Sequence, residues 1–493
     1  MKLFAGLALL MLLIYVGNTH GIGTPQIPAI AKVIDPFAGF WQQAEANTNN
    51  RGSHQVASSR SGTVVIDQEG IPHLFAANTA DAMYLQGYMH AKDRLFQMDV
   101  STRSTGGRLA EILGPDFLES DRIKCRKGMR VAAQRTKEAW LKNQETADVI
   151  QAYCDGINAY ISNLKPRDYP VEYKILGFEP EAWTIFKSAL MAKSMAESLC
   201  TRNYDLASTN TRAILGDSLF AHLYPEHNPE ESPIIPAEQE WNFEPILTEA
   251  HDNALSEQFS FPMLAQSPEG IGSNNWAVAG AKTASGSPLL SNDPHLPLTL
   301  PSIWYQVQIH SPEMNIYGVS LPALPGILIG FNESSAWGIT NVGHDVLDWY
   351  KITWTDETKQ YYMLDGEAVE PNWQTDSIWV RGQEDPEIIK TPWTVFGPLV
   401  YDQPDDQRYN LAMRWLAHDA PFAEDNNNIE VFLRMAKNTG LDTYNKALTG
   451  FDTPASNIIY ANQNDDIAMT VTGRLPLKAD QQGRFVQQGD SLN

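Results

Sequence analysis

From residue 303 the chain alternates: Ile303, Tyr305, Val307 and Ile309 fall on one side of an extended backbone, and Trp304, Gln306, Gln308 and His310 on the other. Side chains of a strand point to opposite faces with a period of two, so this stretch reads as a half-buried strand. Shorter strands are predicted at 63–66, 73–75, 327–331, 349–354, 378–380, 393–396, 413–415 and 458–460, and Asp365-Gly366 marks a hairpin turn. The first half keeps a different period. After Asp81, Leu85, Tyr88, Met89, Leu95 and Phe96 recur at helical spacing. A second helix over 147–164 carries Val149, Ile150, Tyr153, Ile157, Tyr160, Ile161 and Leu164 on one stripe before Pro166 stops it. A third is expected around 185–190. His90, Asp93 and Arg94 read as the solvated or ion-paired face of the first helix.

The pattern divides the chain. Lys2 followed by the apolar run Leu3 to Val16 reads as a secretory signal peptide or N-terminal anchor over 1–21, too short for a comfortable membrane span. A mainly helical region then runs over 22–230, opening on an irregular stretch to about 60. Residues 231–272 accumulate Pro, Glu, Gln and Ser and read as a spacer, and 273–493 is strand-rich. An apolar content of 43% and a charged content of 19% place the chain among globular proteins. The formal net charge of −23 argues against a nucleic-acid partner or an anionic membrane surface, both of which need a concentrated basic face. Cys125, Cys154 and Cys200 lack zinc spacing and allow at most one disulfide, so a structural role is expected.

The candidate chemistry lies where spacer meets strand, at Gly272-Ser273-Asn274-Asn275-Trp276. A cut before Ser273 would leave one residue holding both a hydroxyl nucleophile and a free α-amine to act as its base. By itself the Gly-Ser pair is also an ordinary loop-to-strand junction. Other hydrolase patterns are missing: Gly318-Val-Ser-Leu-Pro322 lacks the last glycine of a nucleophile elbow, and Gly280-Ala-Lys-Thr283 lacks phosphate-loop spacing. Asn292-Asp-Pro-His295 follows one predicted hairpin later, which would return His295 towards the start of the first strand.

Taken together, Ser273-Asn-Asn-Trp276, Asn292-Asp-Pro-His295, Leu321-Pro-Ala-Leu-Pro-Gly326, Trp337-Gly-Ile-Thr-Asn341 and Asp345-x-x-Asp348 resemble the penicillin acylase family of N-terminal-nucleophile hydrolases. Gly70-Ile-Pro-His73, Lys92-Asp-Arg-Leu-Phe-Gln-Met98 and Gly177-Phe-Glu-Pro-Glu-Ala-Trp183 resemble the family's α-chain. The resemblance implies an α+β, four-layer αββα fold. It also implies a precursor that cuts itself before Ser273 and loses its spacer, its two chains staying associated. Such an enzyme hydrolyses N-acyl amides outside the cytoplasm.

By position, the resemblance makes Ser273 the nucleophile, His295 an orienting neighbour and Asn341 the backbone N–H donor of the oxyanion hole. Leu296, Ile329 and Ile339 match acyl-pocket positions, all three aliphatic here, and Asp345, Leu347 (through its carbonyl) and Asp348 match calcium ligands. The resemblance puts Ala207 near the place of a further calcium-binding glutamate, with Asp205 as the alternative acid. The family's side-chain oxyanion asparagine and a nearby arginine normally come later than residue 493, so a longer precursor is expected. Two other readings stay open: an acylase of acyl-homoserine lactones or other fatty N-acyl amides, and an inactive remnant or binding protein.

Overall fold

The computed structural model describes residues 2–18, 33–37, 39–41, 52–56, 62–226, 230–232, 240, 254–255, 272–401, 403–406, 408–421 and 427–492. The expected spacer therefore lies almost wholly outside the described residues. Within it, Leu255 N–H donates to the Val486 carbonyl at 2.8 Å.

The expected α+β class holds. Strands β1 (Gly52–Val56), β2 (Gly62–Ile66) and β3 (Pro72–Ala76) come from the first half. The second half supplies β4 (Ser273–Val278), β5 (Leu289–Pro294), β6 (Tyr305–Ser311), β7 (Met314–Ser320), β8 (Ile329–Asn332), β9 (Ser335–Asn341) and β10 (Leu347–Lys351). Further on come β11 (Leu411–Trp415), β12 (Ser456–Asn462), β13 (Ile467–Thr472) and β14 (Gln487–Gln488). Nine of these form one sheet in the order β1-β2-β3-β6-β7-β8-β9-β12-β13, and β11-β10-β14 form a smaller one. The two halves join where β3 runs parallel to β6, with Leu74 opposite Ile309 and both fully buried. Asp365 and Gly366, both at positive φ, turn the short hairpin of Tyr362–Leu364 and Glu367–Val369, as the sequence predicts.

Helices cover one face of the large sheet. An apolar helix α1 (Lys2–Asn18) stands first in the chain, and no helix among the described residues is long and apolar enough to cross a membrane. The main packing helices are α2 (Thr79–Thr105), α3 (Met129–Trp140), α4 (Gln144–Asn163), α5 (Ile185–Leu199) and α6 (Asp205–Leu215), with α7 (Asn428–Ala436) and α8 (Leu441–Leu448) near the end. Helices α2 and α4 approach so closely that a Cβ on Gly156 would lie 1.9 Å from the Tyr84 carbonyl, and one on Gly87 2.1 Å from that of Tyr153. Only glycine fits such a crossing.

His90 departs from its sequence reading. It is fully buried, not solvated, and its ring spans Tyr153 Oη (2.7 Å) and Ser320 Oγ (2.9 Å), tying α2 to α4 and β7. Burial, with Arg94 nearby, holds its imidazole neutral, pushed down to about 3. Asp93 accepts the Tyr305 hydroxyl at 2.6 Å. All three cysteines are buried free thiols.

Candidate active site

Ser273 is the first residue of β4, which pairs antiparallel with β5 so that Ser273 faces Pro294 and Asn275 faces Asn292. The hairpin carries His295 back to the start of the strand as the sequence suggests, and the contact is made by the main chain. The His295 N–H donates to the Gly272 carbonyl at 2.9 Å, and Ser273 Oγ donates to the same oxygen at 2.6 Å. The His295 ring turns elsewhere, pairing Nε2 with Asp293 Oδ2 at 2.9 Å. The hairpin lies on the sheet face opposite the helices. Asn275 Nδ2 reaches the Asn457 carbonyl of β12 at 3.3 Å. Across β9, Gly338 makes room for Asn292: a Cβ there would sit 2.4 Å from Asn292 Oδ1. The hairpin's other side leaves Trp276 and Leu289 about half exposed.

Two cavities meet at Ser273. The smaller, of about 160 Å³, is lined by Leu296, Ile329 and Ile339 together with Ser273 and Asn341. The three aliphatic positions are thus gathered on one wall system although they come from the loop after β5, from β8 and from β9. The rest of the lining was not legible in the sequence: Phe432 from α7, Phe451 after α8, and Met195 and Leu199 from α5. The larger cavity, of about 1730 Å³, is a cleft with Ser273, Leu296 and Asn341 at its meeting point with the pocket, and Arg94, Arg167 and Arg202 among its lining. Helix α2 is kinked at Arg94, whose φ of −137° is not helical, where it borders this cleft. Asn341 itself is anchored by Nδ2 to the Leu199 carbonyl at the end of α5, 3.0 Å away.

Behind β9, Asp205 of α6 meets Asp345 and Asp348, the three carboxylates coming within 4.8 Å of one another. Asp205, two residues from the expected position, supplies the acid and Ala207 does not. Lys478 enters between them, with Nζ 2.7 Å from Asp348 Oδ1 and 3.1 Å from Asp345 Oδ2. Gln482 Nε2 donates to Asp348 Oδ2 at 2.8 Å, and Trp349 N–H to Asp205 Oδ2 at 3.2 Å. Asp205 Oδ1 and Asp345 Oδ1 are buried with no hydrogen-bond partner among the described residues. Burial, reinforced by the charges of Asp348 and Asp345, pushes the Asp205 carboxyl well up. Burial also raises that of Asp345, against the pull of Lys478. Two orphaned carboxylate oxygens facing an all-oxygen set fit a hard cation such as Ca²⁺. The Leu347 carbonyl beside them already accepts from Asn203 Nδ2.

The family model for penicillin amidase matches residues 61–493. An acyl-homoserine lactone acylase, QuiP of Pseudomonas aeruginosa, is 30% identical over 85% of this chain and 50% of its own length. The penicillin acylase 2 proenzyme of a Pseudomonas species is 29% identical over 85% of this chain and 53% of its own. A solved thermostable penicillin G acylase from Alcaligenes faecalis is 22% identical, with a TM-score of 0.38 over 44% of this chain and 38% of that one. The chain thus spans about half the length of the curated relatives it matches. On the family match, which takes in both the helical half and every strand from β2 onward, the chain belongs to the penicillin amidase family.

Proposed function

We propose that this chain carries the nucleophile of an extracytoplasmic N-acyl amide hydrolase that matures by cutting its own Gly272–Ser273 bond. The observation that carries the reading is the position of Ser273: it opens a strand, borders two cavities of different character, and shares the Gly272 carbonyl oxygen with the His295 N–H. In processing, Ser273 Oγ adds to the Gly272 carbonyl carbon while the His295 N–H holds the developing oxyanion. The C–N bond breaks, the amine takes the proton, and water hydrolyses the resulting ester to a Gly272 carboxylate and a free Ser273 α-amine. That amine, with an unperturbed pKa of about 7.7–8.0, then takes the Oγ proton as Oγ attacks the substrate amide. The amine product leaves with a proton and water releases the acyl group from Oγ. Lys2 and the apolar run Leu3 to Val16, read as a signal peptide or N-terminal anchor, support a place outside the cytoplasm.

Asp205, Asp345 and Asp348 would hold a Ca²⁺ ion, which when bound supplies the positive charge their cluster lacks. Cleavage at 272 would place Asp205 on one chain and Asp345 and Asp348 on the other, so these residues tie the two chains together.

The acyl group occupies the small pocket and the amine the cleft. Leu296, Ile329 and Ile339 favour a linear aliphatic acyl chain, each buried methylene contributing about 0.8 kcal/mol. The acyl-homoserine lactone acylase among the relatives fits this preference. The test is a panel of amides sharing one amine, assayed with the full-length protein. Butanoyl and hexanoyl amides are expected to exceed phenylacetyl in kcat/KM, and S273A is expected to hydrolyse none of them. A clear preference for phenylacetyl reverses the pocket assignment, and undiminished S273A activity removes Ser273 from the mechanism.

A further inference from the structure

Asn341 ends β9, and its main chain and side chain serve different neighbours. Successive N–H groups of a strand point to opposite edges. The next N–H, that of Val342, reaches the Ala455 carbonyl just before β12 at 3.4 Å, so the Asn341 N–H points to the other edge. On that edge β8 pairs with β9 only at Ala336 and Trp337, which leaves no strand opposite Asn341 among the described residues. Asn341 borders instead the pocket and the cleft that meet at Ser273.

The side chain holds this strand end in two directions. Asn341 Oδ1 accepts the Gly343 N–H at 3.2 Å, where the chain turns at positive φ, an ordinary stitch within a loop. Asn341 Nδ2 donates to the Leu199 carbonyl at 3.0 Å, across 142 residues of sequence. Leu199 is the last residue of α5, where helix carbonyls have no partner within the helix. That helix end is itself fixed: Cys200 is fully buried, and its carbonyl accepts Trp415 Nε1 at 3.0 Å. Further along, Asn203 Nδ2 donates to the Leu347 carbonyl and the Trp349 N–H to Asp205 Oδ2. These three side chain to main chain bonds lash 199–205 to 341–349.

We infer that Asn341 is, through its side chain, a positioning residue: by tying β9 to α5 it aims its own N–H at the oxyanion formed when Ser273 Oγ attacks the substrate. Only the N–H would touch the reacting atoms. A donor to developing charge acts by its exact place, and a shift of about 1 Å can cost about 10²-fold in rate. The inference rests on Ser273 as the nucleophile.

The test compares full-length wild type with N341A and with N341L, which keeps the size of the side chain but neither bond. Melting curves and N-terminal sequencing show whether each is folded and cut before Ser273. On the fastest amide of the panel, kcat is expected to fall about tenfold or more in both variants, with KM within about twofold. Butylboronic acid, whose boron takes up Ser273 Oγ as a tetrahedral anion, should bind both variants about tenfold more weakly, and butanoate should bind all three proteins alike. A mere helix cap would move the melting curve and leave kcat alone. An unchanged kcat in either variant, or boronate and butanoate affinities that fall together, overturns the inference and leaves the amidase reading standing. So does a variant that stays uncut, because processing draws on the His295 N–H instead. A wild type that hydrolyses no amide overturns that reading, and the inference with it.

Discussion

Two buried clusters of charge lie in this molecule, and they are built differently. In the first, Arg103 meets Asp99 at 3.0 Å, Glu111 at 3.1 Å and Glu181 at 3.3 Å. Arg108 and Lys187 complete it at 2.8 Å from Glu111 and Glu181, and the Tyr173 hydroxyl donates to Asp99 at 3.0 Å. Three acids face three bases within the helical half. In the second, Asp205, Asp345 and Asp348 face Lys478 alone among the described residues, at a junction between the helical half and the strands. A set whose charges balance explains itself as structure, even though Arg103 Nη1 and Lys187 Nζ make ion pairs without a well-aligned hydrogen bond. A set short of positive charge, with orphaned oxygens, points to something it binds.

The comparison breaks most visibly at Arg103. Its guanidinium is 4% exposed and Asp99 is 3% exposed, so R103M strands a buried carboxylate. A loss of about 3–5 kcal/mol is expected in urea unfolding, independent of added calcium. A loss under 1 kcal/mol would mean that the first cluster is not the charge-balanced network described.

A smaller effect is expected at the second cluster, and it should depend on the ion. EDTA should lower the melting temperature; with free Ca²⁺ at a hundred times its dissociation constant the binding contributes about 2.7 kcal/mol. D345A should remove that sensitivity, and K478M should strengthen it by deleting the competing cation. Indifference of the wild type to EDTA would leave Lys478 as the sole counter-charge.

The smallest effect is in acid. Burial alone would raise the Glu181 carboxyl, but the bonds from Arg108 and Lys187 outweigh it and bring it to about 2, below its ordinary 4.5. A depressed acid stabilises the folded state above its unfolded pKa and loses that contribution as protons are added. The difference in stability between wild type and E181Q should therefore shrink between about pH 4.5 and 2. A difference that stays constant over this window would remove Glu181 from the network.

Much of this architecture was legible from local pattern. The alternation at 303–310 became β6, the stripe at 147–164 became α4, and the Ser273 and Asn292 motifs became the expected hairpin. What periodicity could not give was contact across long separations. The fully buried His90 sits in a polar-looking stretch because its partners, Tyr153 and Ser320, lie 63 and 230 residues away. Asp205 differs from Ala207 by two positions, about 200° around a helix, a choice fixed by where β10 lies. Phe432 and Phe451 join the pocket lining from the far end of the chain, which no local pattern announces. A candidate nucleophile can be named from a motif, whereas the walls of its pocket are a property of the fold.

The central claim is that Ser273 becomes a chain terminus by its own chemistry. Intact mass with N-terminal sequencing, on purified full-length wild type and S273A, tests it most directly. The expected result is a wild-type chain starting Ser-Asn-Asn-Trp at residue 273 and an S273A protein still continuous across that bond. Cleavage at the same bond in S273A, or amide hydrolysis by a wild-type chain whose Gly272–Ser273 bond is intact, would contradict the account.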